Sequence, residues 1–128
     1  MIDHISIPVA DLPRAAQFYD KVLAPLGYTR LVERAATIGY GKKYPEVWLN
    51  LRNRLVPVDG HSGSHVALRA RDEQTIQKFH ELALANGGSC DGPPGPREAT
   101  IPGYYAAFIR DEDGNRIEAV TFVKQDTG

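Results

Sequence analysis

The sequence contains a second copy of part of itself. Displaced by 61 residues, the segment from His4 to Gly27 falls on His65 to Gly88 without a gap. Identities occur at His4/His65, Asp11/Asp72, Phe18/Phe79, Leu23/Leu84, Ala24/Ala85 and Gly27/Gly88. Chance would leave roughly one or two matches over such a stretch, so two like units are expected. Where identity stops, physical type persists, as in Ile5/Val66, Ile7/Leu68 and Val22/Ala83.

Both copies predict the same local structure. Ile2, His4, Ser6 and Pro8 alternate with Asp3, Ile5, Ile7 and Val9, a strand with one apolar face and one face carrying the histidine. Asp11 follows at a helix N-cap position, with Pro13 in the first turn where its missing N–H does no harm. Ala15, Phe18, Val22 and Leu26 make the buried stripe, and Gly27 stops the helix. In the second copy Asp72 is the cap, Ile76, Phe79 and Ala83 are the stripe, and Asn86-Gly87-Gly88 is the stop.

Strand-like runs follow each helix: 28–34, 36–40 and 47–51 in the first half, then 89–91, 104–110 and 117–123 in the second. Asp111-Glu112-Asp113-Gly114-Asn115 is a hairpin turn signal. Gly92-Pro93-Pro94-Gly95-Pro96 reads as a loop. The expected fold class is α+β, with two paired βαβββ modules forming a cup-shaped curved sheet and helices outside. Its 128 residues make one domain, 1–128, with module one at about 1–56 and module two at about 64–124.

Composition narrows the function. The net charge is −1, with no long like-charged block, which argues against nucleic acid or an anionic membrane as partner. No apolar run approaches the roughly 20 residues of a membrane span, and Met1-Ile2-Asp3-His4 lacks the order of a secretory signal, so a cytoplasmic setting is expected. The single Cys90 excludes an intramolecular disulfide and reads as a small packing residue.

Paired modules place equivalent positions across a shared cup, and His4 and His65 are such a pair. Two imidazoles converging on one cup suit a metal ion, and a third ligand is expected from a strand of the same cup. Glu118, between apolar Ile117 and Ala119 in the last strand, is the candidate. Tyr104 and Tyr105 point to opposite faces of their strand, so one of them is expected to reach a substrate oxygen. Trp48 and Asn50 are candidate wall and contact residues, and Arg97 is a candidate ligand for a carboxylate or phosphate. His61 in the linker is a candidate base, and Tyr104 and Tyr105 are the other catalytic candidates. His80 is expected on the outer surface of the second helix.

His4-Ile5-Ser6-Ile7-Pro8-Val9-Ala10-Asp11, the helix through Phe18-Tyr19, Gly27-Tyr28, His65-Val66-Ala67-Leu68 and the closing run from Asp111 to Glu118 together resemble the vicinal oxygen chelate superfamily. That superfamily groups glyoxalase I, extradiol dioxygenases, fosfomycin-resistance transferases and bleomycin-binding proteins. The resemblance implies frequent homodimers and a facial metal triad matching His4, His65 and Glu118, holding Fe, Mn, Zn or Ni. It also implies a lyase, isomerase, transferase or dioxygenase-like enzyme for a small oxygen-rich substrate that chelates the ion. The alternative is a non-catalytic drug- or metabolite-binding protein of the bleomycin-resistance type. In glyoxalase I a fourth ligand is a Glu in the last strand of the first module. Here Glu46 falls too early, and Trp48 or Asn50 takes its place, which departs from that pattern.

Overall fold

The computed structural model describes residues 1–97 and 101–124. Each half runs strand, helix, then three strands. The first contains β1 (Ile5–Val9), α1 (Leu12–Leu23), a 3-10 turn (Ala24–Leu26), β2 (Thr29–Glu33), β3 (Thr37–Gly41) and β4 (Pro45–Leu51). The second contains β5 (Val66–Arg69), α2 (Glu73–Ala85), β6 (Ser89–Pro96), β7 (Tyr104–Arg110) and β8 (Arg116–Phe122). The sheets have the orders β1-β4-β3-β2 and β5-β8-β7-β6. In each, the first strand pairs in parallel with the last, and the other pairings are antiparallel. The internal repeat is therefore a repeat of topology, and the α+β two-module architecture is the one expected.

The helices begin where the caps place them. Asp11 accepts a hydrogen bond from the Arg14 amide at 3.1 Å, and Asp72 accepts from the Thr75 amide at 2.8 Å. Each carboxylate thereby satisfies an amide that the first turn leaves without an intrahelical partner. Gly27 at φ 89° terminates the first helical segment in a left-handed conformation that a side chain would oppose.

One core serves both modules. Ile7, Val9, Phe18, Val22, Val47 and Leu49 from the first join Ile76, Phe79, Ala83, Ile109, Ile117 and Ala119 from the second. The two helices touch one another, and neither module has a separate core. A buried polar latch reinforces this packing. The Tyr19 hydroxyl donates to Asp111 Oδ2 at 2.6 Å, and Asn115 Nδ2 donates to the Pro8 carbonyl at 2.9 Å. The β7–β8 turn is thus more than a reversal of the chain: Asp111 also accepts from the amides of Asp113 and Asn115.

Three expectations need correction. The proline-glycine run is not a loop, because β6 continues through it to Pro96. β6 is the outer strand of its sheet, where a residue without an N–H leaves no inner ladder bond unmade. Its register shifts between Cys90 and Gly92 and again between Gly92 and Gly95. Cys90 is exposed rather than packed, since it falls on this irregular edge. His80 is half-buried, with Nε2 sealed from solvent and without a hydrogen-bond partner, and burial lowers its pKa.

Candidate functional site

Strand alternation builds the site. In β8, Ile117 and Ala119 face the core, so Glu118 projects from the opposite, concave face. Directly across from it stand Ala67 of β5 and Phe108 of β7. Glu118 is only 1% exposed, and a carboxylate removed from water to that degree must be matched by donors. His65 Nε2 lies 3.0 Å from its Oε1, and the Tyr104 hydroxyl donates to its Oε2. The Phe108 ring sits edge-on to the His65 ring at 6.0 Å. Burial, together with the hydrogen bond to Glu118, pushes the Tyr104 phenol up to about 12. Tyr104 is therefore a proton-bearing donor at neutral pH.

Of the two tyrosines, Tyr104 is the one on the concave face. Tyr105 turns towards α2, where Gln77 Nε2 donates to its hydroxyl at 3.1 Å, and so lies on the face away from the cup. Arg97 follows β6 and lies with its guanidinium carbon 5.6 Å from the centre of the Phe108 ring, held by the carbonyls of Pro93 and Pro96. His61 is exposed in the linker, its amide bonded to Asp59 Oδ1.

His4 does not join His65 and Glu118. It precedes β1, its side chain is 53% exposed, and its Nδ1 lies 2.7 Å from Asp3 Oδ1. It lines a groove of about 390 Å³ together with Tyr28, Glu46 and His65. Yet among the described residues no three His, Cys, Asp or Glu side chains are grouped to hold an ion. His65 and Glu118 are thus in contact, and His4 is not grouped with them.

The registers supply the reason. Ser6 and Ala67 are equivalent under the repeat; Ser6 pairs with Trp48, whereas Ala67 pairs with Glu118. Trp48 therefore stands in module one where Glu118 stands in module two, and His4 lacks the carboxylate that anchors His65. Trp48 fits because its neighbour in β3 is Gly39, where an added Cβ would lie 2.8 Å from the indole. Asn50 is engaged within module one: its Nδ2 donates to Ser6 Oγ, and its Oδ1 accepts from Thr37 Oγ1 at 2.8 Å.

The family model for the glyoxalase/bleomycin resistance protein/dioxygenase superfamily matches residues 1–119. The chain belongs to that superfamily. A glyoxalase/bleomycin resistance protein from Albidiferax ferrireducens T118 is 30% identical, with 92% of this chain and 96% of that chain covered and a TM-score of 0.81. The fold also matches the fosfomycin resistance protein FosX from Listeria monocytogenes, at 16% identity, TM-score 0.69 and coverage of 94% and 91%. A glyoxalase-related enzyme from Fulvimarina pelagi matches at 23% identity and TM-score 0.69, over 94% and 86%. No curated protein matches.

Superfamily members typically use divalent metals, bind small molecules and often form dimers. The pair present here is compatible with such an ion. Nitrogen and oxygen ligands held about 2.1 Å from one ion at a right angle are about 3.0 Å apart, the separation of His65 Nε2 and Glu118 Oε1. A neutral imidazole and a carboxylate also suit Fe, Mn, Zn or Ni.

Phe108, Phe122 and Arg69 complete the concave face and were missed in the sequence. The period of two was the available signal: 104, 108 and 118 imply 122, and 65 implies 69.

Proposed function

We propose that this superfamily member is a divalent-metal enzyme acting on a small, oxygen-rich substrate. His65 and Glu118 hold the ion, and His4 is the third donor. A bound Fe, Mn, Zn or Ni ion would act as a Lewis acid towards substrate oxygens, the chemistry common to a lyase, isomerase, transferase or dioxygenase-like reaction. The observation that carries this reading is the buried carboxylate of Glu118 meeting His65 Nε2 at 3.0 Å on the open face of the sheet.

The remaining residues have defined tasks. Tyr104 holds its proton on the phenol oxygen and fixes the direction of the carboxylate. Trp48 walls the module-one side and limits water. His4 belongs to no strand, so the segment 1–4 closes on the pair by packing into the groove that it shares with His65. A homodimer is the proposed state, because exposed Ile2 at that groove is an apolar group a second copy would cover. The cytoplasm is the proposed setting; no helix among the described residues is long and apolar enough to cross a membrane.

The test is metal content and calorimetric titration with Mn(II), Zn(II), Ni(II) and anaerobic Fe(II). The expected result is one ion per chain, lost in His65→Ala and Glu118→Gln and weakened at least about tenfold in His4→Ala. Unchanged stoichiometry and affinity in folded His65→Ala and Glu118→Gln would refute the site.

A second reading, a binding protein that sequesters a drug or metabolite, is favoured by one observation. Both Glu118 oxygens already have partners within the chain, so the carboxylate is satisfied as it stands. Trp48 and Tyr104 would then carry recognition. A rise in melting temperature with a divalent ion favours the enzyme, and tight small-molecule binding with no such rise favours the second reading.

A further inference from the structure

Each histidine of the repeat has a carboxylate beside it, and the two carboxylates meet opposite ring nitrogens. Glu118 Oε1 lies 3.0 Å from His65 Nε2, whereas Asp3 Oδ1 lies 2.7 Å from His4 Nδ1. An ionised carboxylate only accepts hydrogen bonds, so the ring nitrogen that faces it carries the hydrogen. In the neutral rings the hydrogen is therefore on Nδ1 of His4 and on Nε2 of His65. A neutral imidazole has one N–H and one bare nitrogen, and only the bare one can donate a lone pair. Among the described residues His4 Nε2 makes no hydrogen bond. It is the open imidazole nitrogen of the groove of about 390 Å³ that Asp3, His4 and His65 line together.

Two departures from the repeat create this difference. Ser64 stands where Asp3 stands, 61 residues on, and His65 Nδ1 meets only the Gly63 carbonyl, at 3.4 Å. Trp48 stands where Glu118 stands. Module one thus keeps its carboxylate on the Nδ1 side of the ring, and module two keeps its own on the Nε2 side.

We propose that Asp3 is a positioning residue that holds His4 in the Nδ1–H tautomer and so presents Nε2 to the site as a lone-pair donor. The proposal rests on the reading of His4 as a donor to a divalent ion and adds the group that makes it one. An imidazole ligates only through a nitrogen free of hydrogen, and a carboxylate on its other nitrogen both fixes the ring and raises the basicity of the donor atom. The 2.7 Å separation falls in the range of charge-assisted hydrogen bonds. Ile5, the next residue, packs against the core and pairs with Val47, which fixes the backbone directly after the pair. Asp3 itself is exposed, so replacing it leaves the core untouched.

The experiment uses full-length, chelator-treated protein with 15N-labelled histidine, at low ionic strength because the pair is exposed. Long-range 1H–15N NMR spectra are recorded at pH 9, where an imidazole is neutral and only its tautomer varies. The expected result is Nδ1–H at His4 and Nε2–H at His65 in the wild type. In Asp3→Ala, His4 should move to the Nε2–H form that an isolated side chain favours, while the His65 signals stay in place and act as the internal control. In a parallel titration, Mn(II) affinity should fall roughly tenfold in Asp3→Ala with unchanged stoichiometry. A wild-type His4 in the Nε2–H form, or the same His4 tautomer in wild type and Asp3→Ala, would overturn the proposal even if the ion binds. A wild type that binds no ion but shows the expected tautomers would refute the metal reading and leave the assignment of Asp3 to His4 in place.

Discussion

The Tyr19–Asp111 contact joins α1 of module one to the turn that positions Glu118, so its removal measures what holds the modules together. Tyr19→Phe deletes one hydroxyl and keeps the ring in the shared core. The lost bond is 2.6 Å long, buried, and made to a carboxylate, and hydrogen bonds to charged groups contribute about 1.5–3 kcal/mol. Asp111 retains the amides of Asp113 and Asn115 and the Asn115 side chain, so the loss should not exceed that range. For 128 residues, an unfolding entropy of about 2.1 cal/mol/K per residue converts each kcal/mol into roughly 4 °C. A fall of about 6–12 °C in melting temperature is expected at pH 7. Burial raises the Asp111 carboxyl above its ordinary value, while the hydrogen bonds from Tyr19 and Asn115 oppose the rise. A raised carboxyl contributes stability below its unfolded pKa and loses it as pH rises through the folded value. Removing the Tyr19 donor raises that folded value further, so the Tyr19→Phe penalty should shrink as pH falls towards 4. Urea unfolding of both proteins at pH 4 and pH 7 measures this difference. A penalty under about 0.5 kcal/mol at pH 7, or one that does not change with pH, would refute the latch.

Two further outcomes are expected. Tyr19 and Tyr40 have phenols raised by burial, with Asp111 and Asp20 adding to the effect, so both stay protonated in the fold after the unfolded chain ionises near pH 10. Their contribution is complete below pH 10 and declines above it, by up to about 1.4 kcal/mol per pH unit for each group. Urea unfolding between pH 9 and pH 11 should show this decline, reduced in Tyr40→Phe; an unaltered slope contradicts it. Gly39→Ala places a Cβ 2.8 Å from the Trp48 ring and 3.0 Å from Pro45 Cβ, an overpacking that should cost about 1–3 kcal/mol. Trp48 is the sole tryptophan, so a shift in intrinsic fluorescence reports its displacement, and an unchanged spectrum refutes the packing.

The sequence made legible those features that depend on local period. Repeat, caps and alternation led to two βαβββ modules and placed Glu118 on a face opposite the core. Features that depend on register were hidden. Trp48 takes the place of Glu118 because Ser6 pairs with it, and a strand pairing formed over forty residues leaves no local trace. The same applies to Tyr19 and Asp111, which sit on different modules and meet only when both helices share one core. β6 is hidden for a different reason: prolines break inner strands, and only the sheet order shows that this strand is an edge.

The departures from symmetry explain how one scaffold carries a one-sided site. In module one a large ring on β4 lies over a glycine on β3, Trp48 over Gly39. In module two the large ring has moved to the neighbouring strand, Phe108 on β7, and the vacated position on β8 carries Glu118. The ring on β7 requires room in turn, and Gly92 on β6 supplies it, since a Cβ there would lie 2.9 Å from Phe108. A carboxylate is thereby placed beside an aromatic wall that shields it from water, while the equivalent position opposite remains apolar. The histidines remain equivalent under the repeat; their carboxylate partner does not, and that single difference gives His65 the buried carboxylate that His4 lacks.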